Sequence, residues 1–131
     1  MIKRPTRFYS TKQEKRVAKD LSGKRTANSG ATPWQKGDVY TNGFLIECKT
    51  AMTEKQTFSV PKKWLKALPE EAFSAGKNHW ALAFDYGDGD EYYIIDKRTF
   101  KQLKDLLERE EQQNGKREEK SDDSNQGTFT E

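Results

Sequence analysis

Two acids and a lysine, Asp38, Glu47 and Lys49, stand on either side of an Asn42-Gly43 pair. Asn-Gly favours a two-residue hairpin loop of type I′, in which both central residues take positive φ. With that loop, strands Lys36–Thr41 and Phe44–Thr50 pair at positions whose numbers sum to 85, so Val39 faces Ile46 and Asp38 faces Glu47. Alternation puts Asp38, Glu47 and Lys49 on one face of the hairpin. It puts Val39, Phe44, Ile46 and Cys48 on the other, which reads as core. Like charges opposed across two strands repel, with Cβ atoms roughly 5 Å apart. A hard divalent cation relieves that repulsion: Mg²⁺ takes oxygen ligands, keeps several waters and uses one or two carboxylates beside a substrate phosphate. Lys49 adds a positive charge where a phosphoryl oxyanion or an attacking water would sit. These parts match metal-assisted hydrolysis of a phosphodiester. The plain alternative is a solvated hairpin face on which Lys49 merely neutralises two acids, worth about 0 to 1 kcal/mol.

The elements that must position these residues follow from periodicity and punctuation. Ser10 and Gln13 have capping-box spacing, and Glu14, Val17, Ala18 and Leu21 then recur on one helical face, which predicts a first helix over Thr11–Leu21. A charge on that inward face needs a reason such as a metal or a lysine partner, which singles out Glu14. A short strand is expected over Lys24–Ala27, and a loop over Asn28–Pro33. A second helix should begin near Ser59–Pro61 and carry Trp64, Leu65 and Leu68, with Pro69 breaking or restarting it before Gly76 ends it. The apolar run His79–Tyr86, a Gly-Asp-Gly-Asp turn and Glu91–Ile95 predict a second hairpin. A last helix over Lys97–Gln112 shows Phe100, Leu103, Leu106 and Leu107 on one face, and Asn114–Glu131 lacks periodicity and reads as a disordered tail. The expected class is α/β (α+β): a mixed central sheet flanked by helices in the order α-β-β-β-α-β-β-α, with one domain over 1–112 and an acidic, polar tail over 113–131.

Charged residues make up 34% of the 131-residue chain and hydrophobic ones 32%, but the three Trp, the five Tyr and six of the seven Phe cluster between Phe8 and Phe100, enough for one core. The net charge of +3 conceals an asymmetry. Residues 1–66 carry 15 Lys/Arg against 5 Asp/Glu, a balance of +10, and the remainder comes to −7. A concentrated basic half attracts polyanions, although a solvated lysine-rich surface explains composition equally well. One cysteine precludes an internal disulfide, no apolar run is long enough to span a membrane, and MIKRPTRFYS has no apolar segment behind its basic residues. A reducing cytoplasm is expected.

Gly37-Asp38 followed by Ile46-Glu47-Cys48-Lys49 resembles the PD-(D/E)XK nuclease motif, and the chain to about Leu107 resembles the restriction-endonuclease-like core. The helix bearing Glu14, the Ser29-Gly30 loop, the Glu-Cys-Lys strand and the FSVPKKWLKAL segment are similar to archaeal-type and phage Holliday junction resolvases. The resemblance implies that Asp38 and Glu47 hold Mg²⁺ (with Mn²⁺ able to substitute), joined by Glu14 and the backbone carbonyl of Cys48. It implies that Lys49 is catalytic, that Glu14 completes the site and that Ser29 lies near it. Gly37 departs from the proline of the motif. A junction-cutting role further implies a homodimer, since a two-fold axis matches two symmetric strands.

DNA, expected to be branched, would be held mainly through its phosphates, for which Lys3, Arg4, Arg7, Lys12, Lys15, Arg16, Lys24 and Arg25 are candidates. No nucleotide cofactor is expected. Two rival readings stand beside resolution of four-way junctions: a nuclease for single-stranded, damaged or foreign DNA, and a non-catalytic DNA-binding module with the same fold. Cys48 and His79 as nucleophile and base are set aside because Cys48 alternates onto the apolar face, and His79 reads as a satisfied boundary residue. Asp85, Asp88 and Asp90 read as turn chemistry. Trp64, Trp80 and Phe84 read as core rather than base-stacking platforms, and Trp34 as either.

Overall fold

Strand Phe44–Thr50 buries residues on both its faces, with Leu45 turned one way and Ile46 and Cys48 the other, which only a central strand covered by a layer on each side can do. In the computed structural model, which describes residues 6–26 and 37–129, it is the middle of a five-stranded mixed sheet. The elements are α1 (Thr6–Asp20), β1 (Lys24–Arg25), β2 (Val39–Tyr40), β3 (Phe44–Thr50), α2 (Lys62–Ser74), β4 (His79–Asp85), β5 (Glu91–Ile94) and α3 (Lys97–Phe129). The sheet order is β1-β2-β3-β4-β5, antiparallel throughout except for the parallel pair β3 and β4, which α2 connects. A parallel pair requires such a crossover, whereas antiparallel neighbours need only turns. No helix of the described residues is long and apolar enough to cross a membrane.

Two cores follow from the alternation. Val17 of α1 packs with Val39, Ile46, Cys48, Ala81 and Ala83 on one face. On the other, Leu68 and Ala72 of α2 pack with Leu45, Trp80 and Leu82. The hairpin register is the expected one, Val39 with Ile46 and Tyr40 with Leu45. Its turn is not type I′, because neither Asn42 nor Gly43 has positive φ. Instead the Thr41 N–H donates to the Phe44 carbonyl at 3.0 Å, and the Thr41 hydroxyl accepts the Phe44 N–H at 3.0 Å, which closes the hairpin without left-handed residues.

Several local expectations are corrected. Helix α1 begins a full turn earlier than Thr11, so Ser10 lies inside it and its hydroxyl donates to the Arg7 carbonyl. Gln13 is therefore no cap. It is 1% exposed, and its side-chain amide donates to the carbonyls of Lys49 (2.7 Å) and Ala83 (3.3 Å) and to Glu91 Oε2 (3.2 Å), pinning α1 to three strands. The inward residues of α1 are Gln13, Glu14 and Val17, while Leu21 falls in the terminal turn beside left-handed Ser22 and is exposed. Pro69 does not interrupt α2. It lies on the exposed side, between the buried Leu68 and Ala72, and their burial outweighs the one helical hydrogen bond that proline cannot donate.

By its contacts the chain divides between Asp96 and Lys97, and α3 forms the second unit by itself. The helix runs to Phe129 and not to Gln112, so the stretch expected to be unstructured is helical as far as that residue. Its Glu-, Lys- and Gln-rich composition without proline is compatible with helix, and Lys104 pairs with Glu108 one turn on at 3.1 Å. Phe100, Leu103, Leu106 and Leu107 are exposed along it.

The Gln13 anchor is open to test. Gln13→Leu keeps the volume but leaves the strand-end carbonyls of Lys49 and Ala83 without this donor, and stability in urea should fall by about 1 to 3 kcal/mol. An unchanged unfolding midpoint would show that the amide is dispensable.

Candidate active site

Gly37 shapes the approach to the site. Its φ of +84° is closed to proline, and a Cβ there would come within 2.7 Å of Leu45 Cγ. The glycine that departs from the motif is thus the residue this backbone requires. Immediately after it, Asp38 is held on both sides: its N–H donates to the Ile46 carbonyl (3.0 Å) and its carbonyl accepts the Thr26 N–H (3.1 Å). Strand β2 begins only at Val39, so the facing rule fails for the preceding side chain. Instead of lying flat over the face of Glu47, the Asp38 carboxylate turns to the sheet margin and accepts the Cys48 N–H at 2.7 Å. In an antiparallel edge, the N–H and C=O of one residue point the same way. The Cys48 carbonyl therefore lies on the Asp38 side of β3.

Glu47 and Lys49 project onto the α2 face. Lys49 Nζ is 3.6 Å from Glu47 Oε1 and 4.6 Å from the centre of the Trp64 ring, so salt bridge and cation–π contact hold it from two directions. Burial first, and the charges of Asp38 and Glu71 after it, push the Glu47 carboxyl up to about 7 against the opposing pull of Lys49. Glu14 reaches Asp38 from the α1 side and is 6% exposed. Burial, then the hydrogen bond and charge of Asp38, raise its carboxyl above the ordinary range, although Arg25 lies 3.2 Å away and lowers it. Asp38 is thus the acid that Glu14 and Glu47 share as a neighbour.

The expected set comes together incompletely. Among the described residues no group of three or more Asp, Glu, His or Cys side chains converges tightly enough to hold a metal, so Glu14 does not join Asp38 and Glu47 in a preformed three-acid cluster. Asp38, Glu47 and the Cys48 carbonyl remain as donors. That oxygen-rich set, with one acid raised to about 7 by burial first and by anionic neighbours after it, fits Mg²⁺, which commonly needs one or two carboxylates.

Of the proposed phosphate contacts, Arg16 is committed elsewhere, bonded to Asp85 at 2.8 Å and to Glu91. Arg25 pairs with Glu14, and Lys24 lies in β1 on the rim of a groove with Tyr40, Asn42 and Lys77. Arg7, Lys12 and Lys15 line the outer surface of α1 with Phe8 and Thr11. Lys3, Arg4, Ser29 and Trp34 lie outside the described residues.

The sequence reading missed how the far end of the sheet is held. Asp85 is 2% exposed and is no mere turn residue: besides Arg16 it accepts the Thr50 hydroxyl at 2.7 Å and the Gly87 N–H at 2.8 Å. An aspartate closing an apolar strand was the available signal, because a charge at that depth needs a partner. Asp88 does perform turn chemistry, accepting the Asp90 N–H at 3.0 Å. Cys48 is buried, and burial followed by the surrounding carboxylates pushes its thiol strongly upward, the reverse of an activated nucleophile. His79 sits at the other end of β4 against Phe44, with ring centres 5.0 Å apart, and its buried Nδ1 lacks a partner among the described residues, so it is not the fully satisfied residue expected.

The acid geometry dictates a pH response in metal-free protein. A carboxyl raised to about 7 binds its proton more tightly when folded than when unfolded, so stability is lost as pH rises from the ordinary carboxylate range toward 7. With a chelator present, the unmodified chain should gain on the order of 1 to 3 kcal/mol relative to Glu47→Gln between pH 7.5 and about 5. Parallel stability curves for the two proteins, from urea melts across that range, would count against a strained Glu47.

No family model, no curated protein and no solved structure matches this chain.

Proposed function

We propose that the chain is a Mg²⁺-dependent endodeoxyribonuclease with a restriction-endonuclease-like core, acting on branched DNA such as a four-way junction. The observation that carries this reading is the pair Asp38, just ahead of β2, and Glu47 on β3, flanking the Cys48 carbonyl, with Asp38 bonded to the Cys48 N–H at 2.7 Å and Lys49 salt-bridged to Glu47 at 3.6 Å. Asp38, Glu47 and that carbonyl would hold the ion, which when bound polarises the phosphate and lowers the pKa of a coordinated water. Lys49, fixed between Glu47 and the Trp64 ring, orients the attacking water and stabilises the charge that develops on the phosphoryl oxygens. Water adds to phosphorus, one P–O bond to a sugar breaks, and the water proton passes to solvent or to the departing oxygen. Glu14 acts behind Asp38, sharing a hydrogen bond with it and paired with Arg25 at 3.2 Å. A homodimer would bring two such sites to the symmetric strands of a junction, in a cytoplasmic setting.

The test is digestion of an end-labelled four-way junction beside linear duplex and single strand of the same sequence, with Mg²⁺ or Mn²⁺. The unmodified chain should cut the junction preferentially. Asp38→Asn, Glu47→Gln and Lys49→Met should each lower the rate by about 10²-fold or more with DNA affinity retained. A second reading, a binding module without turnover, draws on the Arg25–Glu14 pair and the lack of a three-acid cluster among the described residues. Binding without cleavage under both metals would favour it and overturn the first.

A further inference from the structure

The register of the sheet sets a row of side chains leading away from Lys49. Lys49 pairs with Phe84, and Phe84 pairs with Tyr92, so all three project from the α2 face at successive strands about 4.8 Å apart. Phe58, from the segment before α2, stacks on Phe84 with centres 5.1 Å apart and planes at 27°. Tyr86 meets Phe58, Phe84 and Tyr92 edge-on, at 6.4, 5.6 and 5.9 Å. Phe58, Phe84 and Tyr86 are half-buried, and packing accounts for them. It does not account for Tyr92, which lies on edge strand β5 with 52% of its surface in solvent and one side of its ring against Phe84 at 5.8 Å.

Charge narrows what such a surface takes. The stretch 55–66, which runs through the segment before α2 and into its first residues, carries Lys55, Lys62, Lys63 and Lys66, all exposed, and no Asp or Glu. Among the nearby acids, Asp85 and Glu91 are bound to Arg16 from the opposite face and Asp88 and Asp90 lie in the β4–β5 turn, whereas the exposed Glu54 just ahead of the stretch and Glu71 of α2, whose charge bears on Glu47, offset part of this positive charge. Aromatic faces beside exposed lysines, continuous with a lysine assigned to a scissile phosphate, suit a single strand: bases stack on the rings, and the backbone follows the positive charge.

We infer that the Phe84–Tyr92 row is a stacking platform for unpaired bases of DNA next to the phosphate held at Lys49. This rests on the nuclease reading and sharpens it. The substrate would be DNA with splayed or unpaired nucleotides beside the cut, and fully paired duplex would lack the group the platform takes.

The experiment uses the full chain with Ca²⁺ in place of Mg²⁺, and oligonucleotides in which 2-aminopurine marks single positions near a junction crossover or in an unpaired arm. Stacking should quench the probe at one or two adjacent positions. Tyr92→Ala should abolish the quench and weaken binding by about ten-fold, Tyr92→Phe should preserve both, and Tyr93→Ala on the opposite face should leave both unchanged. Abasic sites at the quenched positions should weaken binding to the unmodified chain and not to Tyr92→Ala, which tests the contact without altering the fold. Equal affinity of Tyr92→Ala and the unmodified chain, with cleavage intact in Mg²⁺, would overturn the platform and leave the nuclease standing. Quenching that depends on Tyr92 with no cleavage under any metal would support the platform and overturn the nuclease. Self-association of the chain that Tyr92→Ala abolishes, without any quench, would assign the face to a second copy and overturn the proposal.

Discussion

The carboxylate of Asp38 accepts the Cys48 N–H, the donor that a continuing β2 carbonyl would have taken, and the arrangement of the acids depends on that substitution. Because Gly37 turns the chain aside at φ +84°, a side chain rather than the main chain completes the ladder at this point. That one bond fixes an acid at the margin between the two faces of the sheet. From there its charge bears on Glu14, brought by α1 on one side, and on Glu47, which points toward α2 on the other. Removed from this margin, either acid would lie against apolar packing with a weaker reason to be near the other.

The surrounding polar groups keep the cost of three neighbouring carboxyls within bounds by different means. Glu14 has a guanidinium partner in Arg25, and Glu47 has an ammonium partner in Lys49, while Asp38 is stabilised by a main-chain donor. The neutralisation is unequal: burial, and after it the charges of Asp38 and Glu71, keep Glu47 raised to about 7 against Lys49, so its negative charge is left short of compensation. A divalent cation or the protons of an acidic solution would each relieve that deficit, and the chemistry proposed above follows from the first. Rigidity comes from a second network, in which Arg16 joins Asp85 to Glu91 and Gln13 joins α1 to the ends of β3 and β4. A site held to the geometry that phosphoryl transfer needs is better built on strands pinned in this way than on loops.

The two ends of the parallel pair differ in character. At the C-terminal end of β3 and β4 lie the acids, the lysine and the aromatic row, whereas the opposite end presents the hairpin turn, His79 against Phe44, and Lys77 near Tyr40. The basic half of the chain does not amount to a uniform phosphate-binding surface, because the guanidiniums of Arg16 and Arg25 are already bound to acids. The lysines of α1, Lys24 and the lysines of the 55–66 stretch are exposed and on hand for a polyanion.

The local pattern of residues determined the register of the hairpin, since a loop at Asn42-Gly43 and a single apolar set on Val39, Ile46 and Cys48 leave one pairing that buries them. It likewise determined the class, a mixed sheet with helices, because periods of two and 3.6 alternate along the chain. It pointed to Glu14 for a reason of depth, and the structure finds that side chain buried beside Asp38. Tertiary structure alone decided which cations are free, because Arg16 is far in sequence from Asp85 and Glu91 and meets that hairpin pair only when α1 crosses the sheet. It also decided that Gln13 is an anchor and not a cap, that Pro69 is tolerated within α2, and that the Asp38 carboxylate leaves the face assigned to it. Each of these turns on long-range burial or on main-chain hydrogen bonds at a strand end, where alternation no longer governs the direction of a side chain.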